Sequence, residues 1–301
     1  MNNAATPAPT SSRLAARLSI LAAALMWSSS GLFAQAPMFD VWPTADRGVI
    51  LAFWRAAFAC LVLVPMIRRP RWNVRLVPMT LCFALMSFSF LTAMSQTSVA
   101  NTVWLQATSP WWVFLIAVLI LREPVVRRDL VPLAFGAAGV GLILAFEFRL
   151  APQDVVGVAW GLVSGVTYAV VVTLMRQLRG HNAAWLIGLN HLVVTIALLP
   201  LMLGTGIWPS PSQLGVLALF GVFQMAIPYV LVSRALRSVS SQEVIALYLV
   251  EPVLAPVWVY LAWGKVPAWW TIAGGGLILA GLILRYVVLE LRGPGDDQRR
   301  D

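Results

Sequence analysis

Two ionisable side chains lie inside long apolar segments and are the residues most able to bind or carry a small molecule. Glu251 precedes Pro252, about twelve residues or roughly 18 Å into a predicted membrane span. A carboxylate at that depth costs several kcal/mol unless it meets a partner or water. The functional interpretation is contact with a substrate ammonium or uptake of a proton. The structural alternative is pairing with Arg55 or with backbone groups that Pro252 leaves free.

Arg55 is the other buried charge that the apolar pattern indicates. It lies about eight residues from one end of the second predicted span, a depth from which a long arginine side chain can reach the membrane interface. We therefore favour a helix-anchoring ion pair for Arg55 over binding of a substrate carboxylate, and both alternatives stay open.

Polar and aromatic side chains inside other apolar segments complete the candidate binding set. Aromatic faces can stack on a planar substrate. The substrate-binding candidates are Trp27, Ser87, Asn101, Trp104, Gln106, Ser109, Tyr168, Gln224, Tyr248 and Glu251. For each of them, helix packing or lipid contact is the structural alternative.

Helical spacing divides part of this set between two faces of the fourth predicted span. Asn101 and Trp104 share one face, whereas Gln106 and Ser109 share another. The internal repeat described below aligns the second pair with the face that carries Glu251. We favour this second face as the one that lines a cavity, and we keep both.

Two prolines stand at matching depths in predicted spans four and nine. Pro110 and Pro252 each weaken a helix near its middle, so we interpret them as paired hinges. A static kink is the structural alternative.

Motifs of other functional classes are missing from the sequence. It has no phosphate-binding glycine loop, no His/Cys metal spacing and no nucleophile elbow. We therefore expect neither an enzyme nor a resident cofactor or metal, and no ATPase domain in this chain. Cys60 and Cys82 fall in apolar runs and are typical of core residues.

The composition indicates that these residues sit in membrane-spanning helices. Of 301 residues, 60% are hydrophobic and 11% charged, whereas a soluble domain carries about 25% charged residues. A helix needs roughly 20 apolar residues to cross the hydrocarbon core. The apolar runs predict an all-α polytopic membrane protein with ten transmembrane helices. The predicted spans are 17–38, 47–68, 74–95, 98–120, 129–147, 155–176, 183–203, 212–235, 240–263 and 267–290.

The basic residues predict the orientation of the chain. Most of the 21 Lys and Arg residues fall in connections on one side of the predicted spans. Basic connections stay in the cytoplasm, so we expect both termini there, in a bacterial inner membrane. The net charge of +9 then reflects contact with anionic lipid headgroups, not with nucleic acid. We expect disorder in residues 1–16 and 291–301.

The two halves of the chain resemble each other. A single shift in numbering aligns Ser98 with Ser240 and Pro110 with Pro252. Each half, 17–147 and 155–290, contains five predicted spans, so the halves insert in opposite directions as an inverted repeat. Such repeats enclose a central cavity near the membrane midplane and support alternating access.

Several motifs carry a family likeness. Ala23 and Leu25-Met26-Trp27-Ser28 open the first span, and the block from Gln96 to Ile143 includes Gln106-Ala107-Thr108-Ser109-Pro110. The second copy includes Leu249-Val250-Glu251-Pro252-Val253. Over about residues 17–290 the chain resembles the EamA-type branch of the drug/metabolite transporter superfamily. It looks most like the aromatic amino acid exporters of the YddG type.

The resemblance implies ten helices with cytoplasmic ends, a central cavity and efflux of amino acids with broad selectivity. Lys265 stands where the family usually has Glu, so the role of that carboxylate does not carry over. We predict a secondary transporter that exports amino acids, with aromatic and apolar side chains favoured. Export of other small metabolites or cationic drugs is one alternative, and a non-transporting membrane protein is another. Ion coupling and oligomeric state stay open.

Overall fold

The computed structural model describes residues 10–67, 70–120, 122, 130–178, 180–235 and 249–285. Every regular element among these residues is helical. In the first half the α-helices are α1 (Thr10–Ser28), α2 (Ser30–Ala34), α3 (Thr44–Leu63), α4 (Leu76–Gln96), α5 (Val99–Gln106), α6 (Ser109–Leu119) and α7 (Leu130–Leu150). In the second half they are α8 (Val155–Gln177), α9 (Ala183–Gly204), α10 (Pro211–Leu219), α11 (Ile227–Ala235), α12 (Val250–Trp263) and α13 (Trp269–Ile283).

Eight helical stretches of the described chain are long and apolar enough to cross a membrane. α12 and α13 are apolar but shorter. The ten-span count stays a prediction, because residues 236–248, which include the start of the predicted ninth span, lie outside the described residues. The predicted tail 291–301 also lies outside them.

At the N-terminus the described chain becomes helical earlier than the sequence predicts. α1 begins at Thr10, whereas we expected disorder up to residue 16. Leu14, Ala15 and Ala16 have high helix propensity, so the helix of the first span continues toward the N-terminus. Residues 1–9 lie outside the described part of the chain.

The outward faces of the long helices suit lipid. On α4, Val77, Leu81 and Leu85 follow one another at helical spacing and are exposed, whereas Met79 and Phe83 are buried. Each Å² of apolar surface that faces water instead of an apolar phase costs about 25 cal/mol of free energy. A row of large apolar side chains on the outside of a helix therefore favours contact with lipid. Together with the eight spans, this surface makes the chain a multi-pass membrane protein.

Helices from the two halves pack directly against each other. α4 lies along α8, α3 lies along α9, and α7 lies along α13. In the last pair a Cβ on Gly274 would lie 2.7 Å from the carbonyl oxygen of Gly139. Small residues let these two backbones touch, which is how helices associate without a hydrophobic driving force.

Two polar contacts identify the two ends of the bundle. At one end the Gln35 amide donates to the carbonyl oxygens of Met94 and Thr97, and we call this the Gln35 end. At the other end the Trp185 indole donates to the Arg71 carbonyl oxygen at 3.0 Å, and we call this the Arg71 end.

Candidate functional site

Arg55 lies at mid-length in α3 and is buried, with 3% of its surface exposed. Its Nη2 donates to the Ser87 hydroxyl at 2.8 Å, and its Cζ lies 5.2 Å from the centre of the Phe220 ring. Nη1 has no hydrogen-bond partner among the described residues. No carboxylate in the described part of the chain forms an ion pair with Arg55, so the anchoring ion pair that the sequence favoured is not found among the described residues. The side chain turns into the protein because Ser87 and Phe220 hold it there.

Aromatic rings surround the space next to Arg55. His191 on α9 is buried, and its ring centre lies 5.7 Å from that of Tyr229 on α11. Tyr229 also makes an edge contact with Trp27 on α1, at 5.1 Å between ring centres. The Arg55 charge lies within electrostatic range of both His191 and Tyr229. His191 and Tyr229 therefore lie near one buried cation, and Trp27 packs against Tyr229.

A π-helical segment, Phe220–Ala226, adds an amide to this group. The Gln224 Nε2 donates to the Trp27 carbonyl oxygen at 3.3 Å, while Oε1 has no partner among the described residues. Gly221 in the same segment packs against the Arg55 backbone. π-helical turns inside α-helices are frequent at functional sites, because the extra residue redirects side chains. We call Arg55, Ser87, His191, Gln224 and Tyr229 the mid-span cluster.

Glu251 borders the mid-span cluster from the second half of the chain. It is the second residue of α12, is half-buried, and pairs with no described cation. Its charge lies within electrostatic range of Tyr168 and Tyr229. Tyr229 lies within electrostatic range of Arg55 as well, so it neighbours both charges.

Tyr168 indicates open space beside Glu251. Gly161, Gly165 and Val171 share its face of α8 and are buried, so this face points into the protein. Tyr168 is nevertheless 37% exposed. Its side chain therefore has accessible surface although its neighbours on this face are buried. A cavity of about 20 Å³ also borders Tyr229, toward the Arg71 end.

Asn101 belongs to a different group of polar side chains, near the Gln35 end. Its amide nitrogen donates to Thr97 Oγ1 at 3.0 Å and to the Glu147 carboxylate, and its Oδ1 accepts from Thr271 at 2.7 Å. These contacts join α5 to α7 and α13. We call Thr97, Asn101, Glu147 and Thr271 the Glu147 network.

The remaining predicted site residues have separate positions. Trp104 packs its ring against Gly275 of α13, in an apolar core. The Gln106 amide donates to the Ser164 hydroxyl at 3.0 Å, and Ser109 is buried at the start of α6. Tyr248 lies outside the described residues.

The predicted hinge prolines occupy first turns of helices. Pro110 follows the break between α5 and α6, where Ala107 and Thr108 separate two helical segments of one span. Pro252 lies in the first turn of α12.

Sequence reasoning missed two residues that the structure makes prominent. Tyr229 was not selected because aromatic residues are common in this chain. Glu147 falls at the end of its predicted span, where a carboxylate is ordinary. Its 2% exposure is the property that the sequence does not reveal. Within the described residues, no group of three His, Cys, Asp or Glu side chains could hold a metal ion.

The family model of EamA-like transporters matches two stretches of the chain, residues 14–145 and 155–287. The chain belongs to the EamA-like transporter family. This confirms the EamA-type resemblance predicted from the motifs, whereas the narrower likeness to YddG-type exporters remains a prediction. As an EamA-like protein the chain is a transporter and not an enzyme.

Similar proteins agree with membership of the EamA-like family. An uncharacterized transporter of Archaeoglobus fulgidus is 31% identical over 242 residues, which cover 78% of this chain and 86% of the relative. The pseudopaline exporter of Pseudomonas aeruginosa is 28% identical over 243 residues, covering 77% of this chain and 84% of the relative. One crystal structure of another protein superposes with a TM-score of 0.61 at 18% identity, covering 93% of this chain and 100% of the other. That superposition shows a shared fold.

Proposed function

We propose that this EamA-like protein is a secondary transporter that exports small zwitterions from the bacterial cytoplasm, amino acids with aromatic or apolar side chains above all. The observation that carries the proposal is the buried Arg55 guanidinium, whose Nη1 has no partner among the described residues. A buried cation without a partner is costly. A substrate carboxylate would supply the missing partner, and the planar guanidinium suits it.

Glu251 supplies the opposite charge that a zwitterion needs. Tyr229 lies within electrostatic range of both Arg55 and Glu251, and neither charge pairs with a described residue of opposite sign. A substrate carboxylate would satisfy Arg55, and a substrate ammonium would satisfy Glu251. The rings of Trp27, Tyr168 and Tyr229 around this space favour an aromatic or apolar substrate side chain.

The transport cycle follows from the predicted internal symmetry. Two matched stretches of similar length support two repeats, and the proposed arrangement is ten helices in oppositely inserted halves around one cavity. Both termini would lie in the cytoplasm, the Gln35 end would face outward, and Pro110 and Pro252 would act as hinges. The closed, buried state of Arg55 then corresponds to one stage of alternating access.

The other candidate residues differ in how well their surroundings suit contact with substrate. Ser87 orients Arg55 and Gln224 offers its free Oε1, so both belong to the binding set. Gln106, Ser109 and Tyr248 stay candidates on the face that aligns with Glu251. Asn101 and Trp104 are less suited to contact substrate, because their side chains are engaged elsewhere.

A second candidate cargo comes from a relative. The pseudopaline exporter of Pseudomonas aeruginosa is 28% identical across most of both chains. Pseudopaline is therefore a test substrate beside amino acids. Cationic drugs are the alternative cargo. Glu251 and the aromatic rings could bind them without any contribution from Arg55.

The decisive experiment compares three molecules of one size in proteoliposomes. L-phenylalanine carries both charges, phenethylamine lacks the carboxylate, and 3-phenylpropanoate lacks the ammonium. We expect the parent to prefer phenylalanine. Arg55→Gln should remove the advantage of phenylalanine over phenethylamine, and Glu251→Gln its advantage over phenylpropanoate. A charged hydrogen bond contributes about 1.5–3 kcal/mol, or about tenfold to a hundredfold in affinity.

Arg71→Gln is the matched control, because Arg71 is exposed at the Arg71 end. It should transport all three compounds as the parent does. Equal discrimination by the parent and both charge variants would refute the zwitterion site. Faster transport of phenethylamine than of phenylalanine by the parent would favour the cationic cargo instead.

A further inference from the structure

Glu147 is a buried carboxylate that the substrate site does not use. It lies in the last turns of α7, is 2% exposed, and accepts a hydrogen bond from Asn101 at Oε1. Its Oε2 is buried without any partner among the described residues. An ionised carboxylate in such a place is strongly disfavoured unless something neutralises it.

A second carboxylate lies beside Glu147. Asp154, just before α8, is within electrostatic range of Glu147 and lies near the Thr97 side chain. Like charges repel, so the negative charge of Asp154 favours a proton on one of the two groups.

The other charged groups near this pair lie toward the surface. Arg149 is exposed in the last turn of α7, and Lys265 lines the cavity at the Gln35 end. α5, α6 and α13 carry no titratable side chain. Phe146, next to Glu147 in sequence, stacks on Trp270 and makes an edge contact with Trp269.

Open space at the Gln35 end comes within two hydrogen bonds of Glu147. A cavity of about 210 Å³ there is lined by Gln35, Thr97, Ser98 and Lys265, among others. The Thr97 hydroxyl, on the wall of this cavity, accepts from the Asn101 amide that also bonds Glu147. One hydroxyl and one amide therefore separate the carboxylate from the cavity.

Asn101 ties the charge of Glu147 to a movable element. Asn101 belongs to α5, a short helix that the break at Ala107 and Thr108 separates from α6. Its side chain docks α5 on α7 through Glu147 and on α13 through Thr271. Hydrogen bonds to an ionised acceptor are about twice as strong as neutral ones, so neutralising Glu147 weakens this docking.

We propose that Glu147, with Asp154 beside it, is a proton-binding site reached from the Gln35 end, and that its protonation releases α5 from α7 and α13. A proton bound on Glu147 thereby opens the Gln35 end of the bundle. The coupling of this proton to export rests on the proposed function, whereas the proton site itself does not.

The first test measures the docking of α5 without any substrate. Ala100 of α5 is 2% exposed and lines the cavity, so Ala100→Cys in a chain without Cys60 and Cys82 reports undocking by its reaction with a water-soluble maleimide. Rates are divided by those of Ala45→Cys, exposed at the same end, to remove the pH dependence of thiol chemistry. We expect the normalised rate to rise in acid and to become fast and independent of pH with Glu147→Gln.

Asp154→Asn provides a second variant that leaves the Asn101–Glu147 contact in place, and its normalised rate should respond to pH over a shifted range. Asp46→Asn, a carboxylate of α3 at the same end, should respond as the parent does. The same pH response with and without Glu147→Gln overturns the proposal. The proposal is also overturned if the labelling rate changes when choline replaces sodium but does not change with pH.

The second test measures coupling in proteoliposomes. A pH gradient, acidic at the Gln35 end, should drive uphill movement of labelled L-phenylalanine by the parent and fail to drive it with Glu147→Gln. Exchange of labelled for unlabelled phenylalanine at equal pH reports the substrate site separately. If the parent exchanges no phenylalanine while labelling still depends on Glu147, the proposed cargo is wrong and the proton site stands. If exchange occurs but the gradient acts equally on both proteins, the coupling role fails.

Discussion

The α7–α13 contact and the mid-span cluster are both buried, yet they are built in opposite ways. Between α7 and α13 there is no spare room, since Gly139 and Gly274 bring the backbones together and Ile143 and Ile278 fill what is left. Close packing of this kind is how protein interiors gain most of their dispersion energy.

The mid-span cluster contains polar atoms that the protein leaves without partners. Nη1 of Arg55 and Oε1 of Gln224 are buried, and neither has a hydrogen bond within the described residues. Each such atom costs about 1–3 kcal/mol relative to a satisfied one. A fold selected for stability alone would fill these positions with apolar side chains.

The α7–α13 contact therefore holds the bundle together, whereas the mid-span cluster is suited to binding. Substitutions in the α7–α13 contact should act on stability first. Those in the mid-span cluster should act on transport and leave stability nearly unchanged.

The largest stability effect is expected from a single methyl group in the α7–α13 contact. A Cβ on Gly274 would meet the Ile143 side chain at 2.6 Å and the Gly139 carbonyl oxygen at 2.7 Å. Overpacking costs about 1–3 kcal/mol, so Gly274→Ala should lower the free energy of unfolding by that amount. Unfolding of the purified protein in mixed micelles measures the change.

Gly276 gives a matched control two residues along the same helix. A Cβ there would meet nothing within 4 Å. Alanine favours helix over glycine by about 1 kcal/mol, so Gly276→Ala should be neutral or slightly stabilising. Equal destabilisation by both substitutions would show that backbone contact is not what joins α7 to α13.

An intermediate effect, on transport alone, is expected from Gln224→Met. The change keeps the side-chain volume and removes a buried amide whose Oε1 is unpartnered. The free energy of unfolding should stay within about 1 kcal/mol of the parent, because removing an unsatisfied polar group offsets the lost bond to Trp27. The rate of phenylalanine transport should fall about twofold to tenfold, the value of one neutral hydrogen bond to substrate.

Gln213→Met tests whether any buried amide would behave in this way. Gln213 caps α10 and donates to the Met38 carbonyl oxygen at 2.8 Å. There we expect lost stability, and transport per folded molecule like that of the parent. Loss of stability with Gln224→Met and no change in transport would remove Gln224 from the site.

The α7–α13 contact was partly visible in the sequence, and the mid-span cluster was much less so. Gly139 and Gly274 lie in apolar runs of the sequence, where small residues let helix backbones approach closely. The Arg55–Ser87 bond, by contrast, joins residues on different helices. No local pattern says which of several buried polar groups will meet.

The helix break shows what the predicted faces of the fourth span depend on. Gln106 and Ser109 share a face only in a continuous helix, but α5 ends at Gln106 and α6 begins at Ser109. Thr108 accepts from the Trp112 indole at 3.0 Å across this break. Pro110 was predicted to weaken the helix, yet the depth and size of the resulting interruption depend on contacts that the sequence does not display.

The smallest stability effect is expected from Pro110→Ala, and it bears on whether the break between α5 and α6 moves. Proline in a first helical turn restricts the unfolded chain, so its loss should cost about 0.4–1 kcal/mol. Pro211→Ala is the matched control, since Pro211 stands in the first turn of α10 outside any break. Both should lose similar stability.

Only Pro110→Ala should also slow phenylalanine exchange at unchanged KM, because a more continuous helix resists the bending that opens the bundle. If Pro110→Ala exchanges phenylalanine as the parent does, the break between α5 and α6 is a fixed structural feature. The release of α5 on protonation of Glu147 would then require bending elsewhere in the bundle.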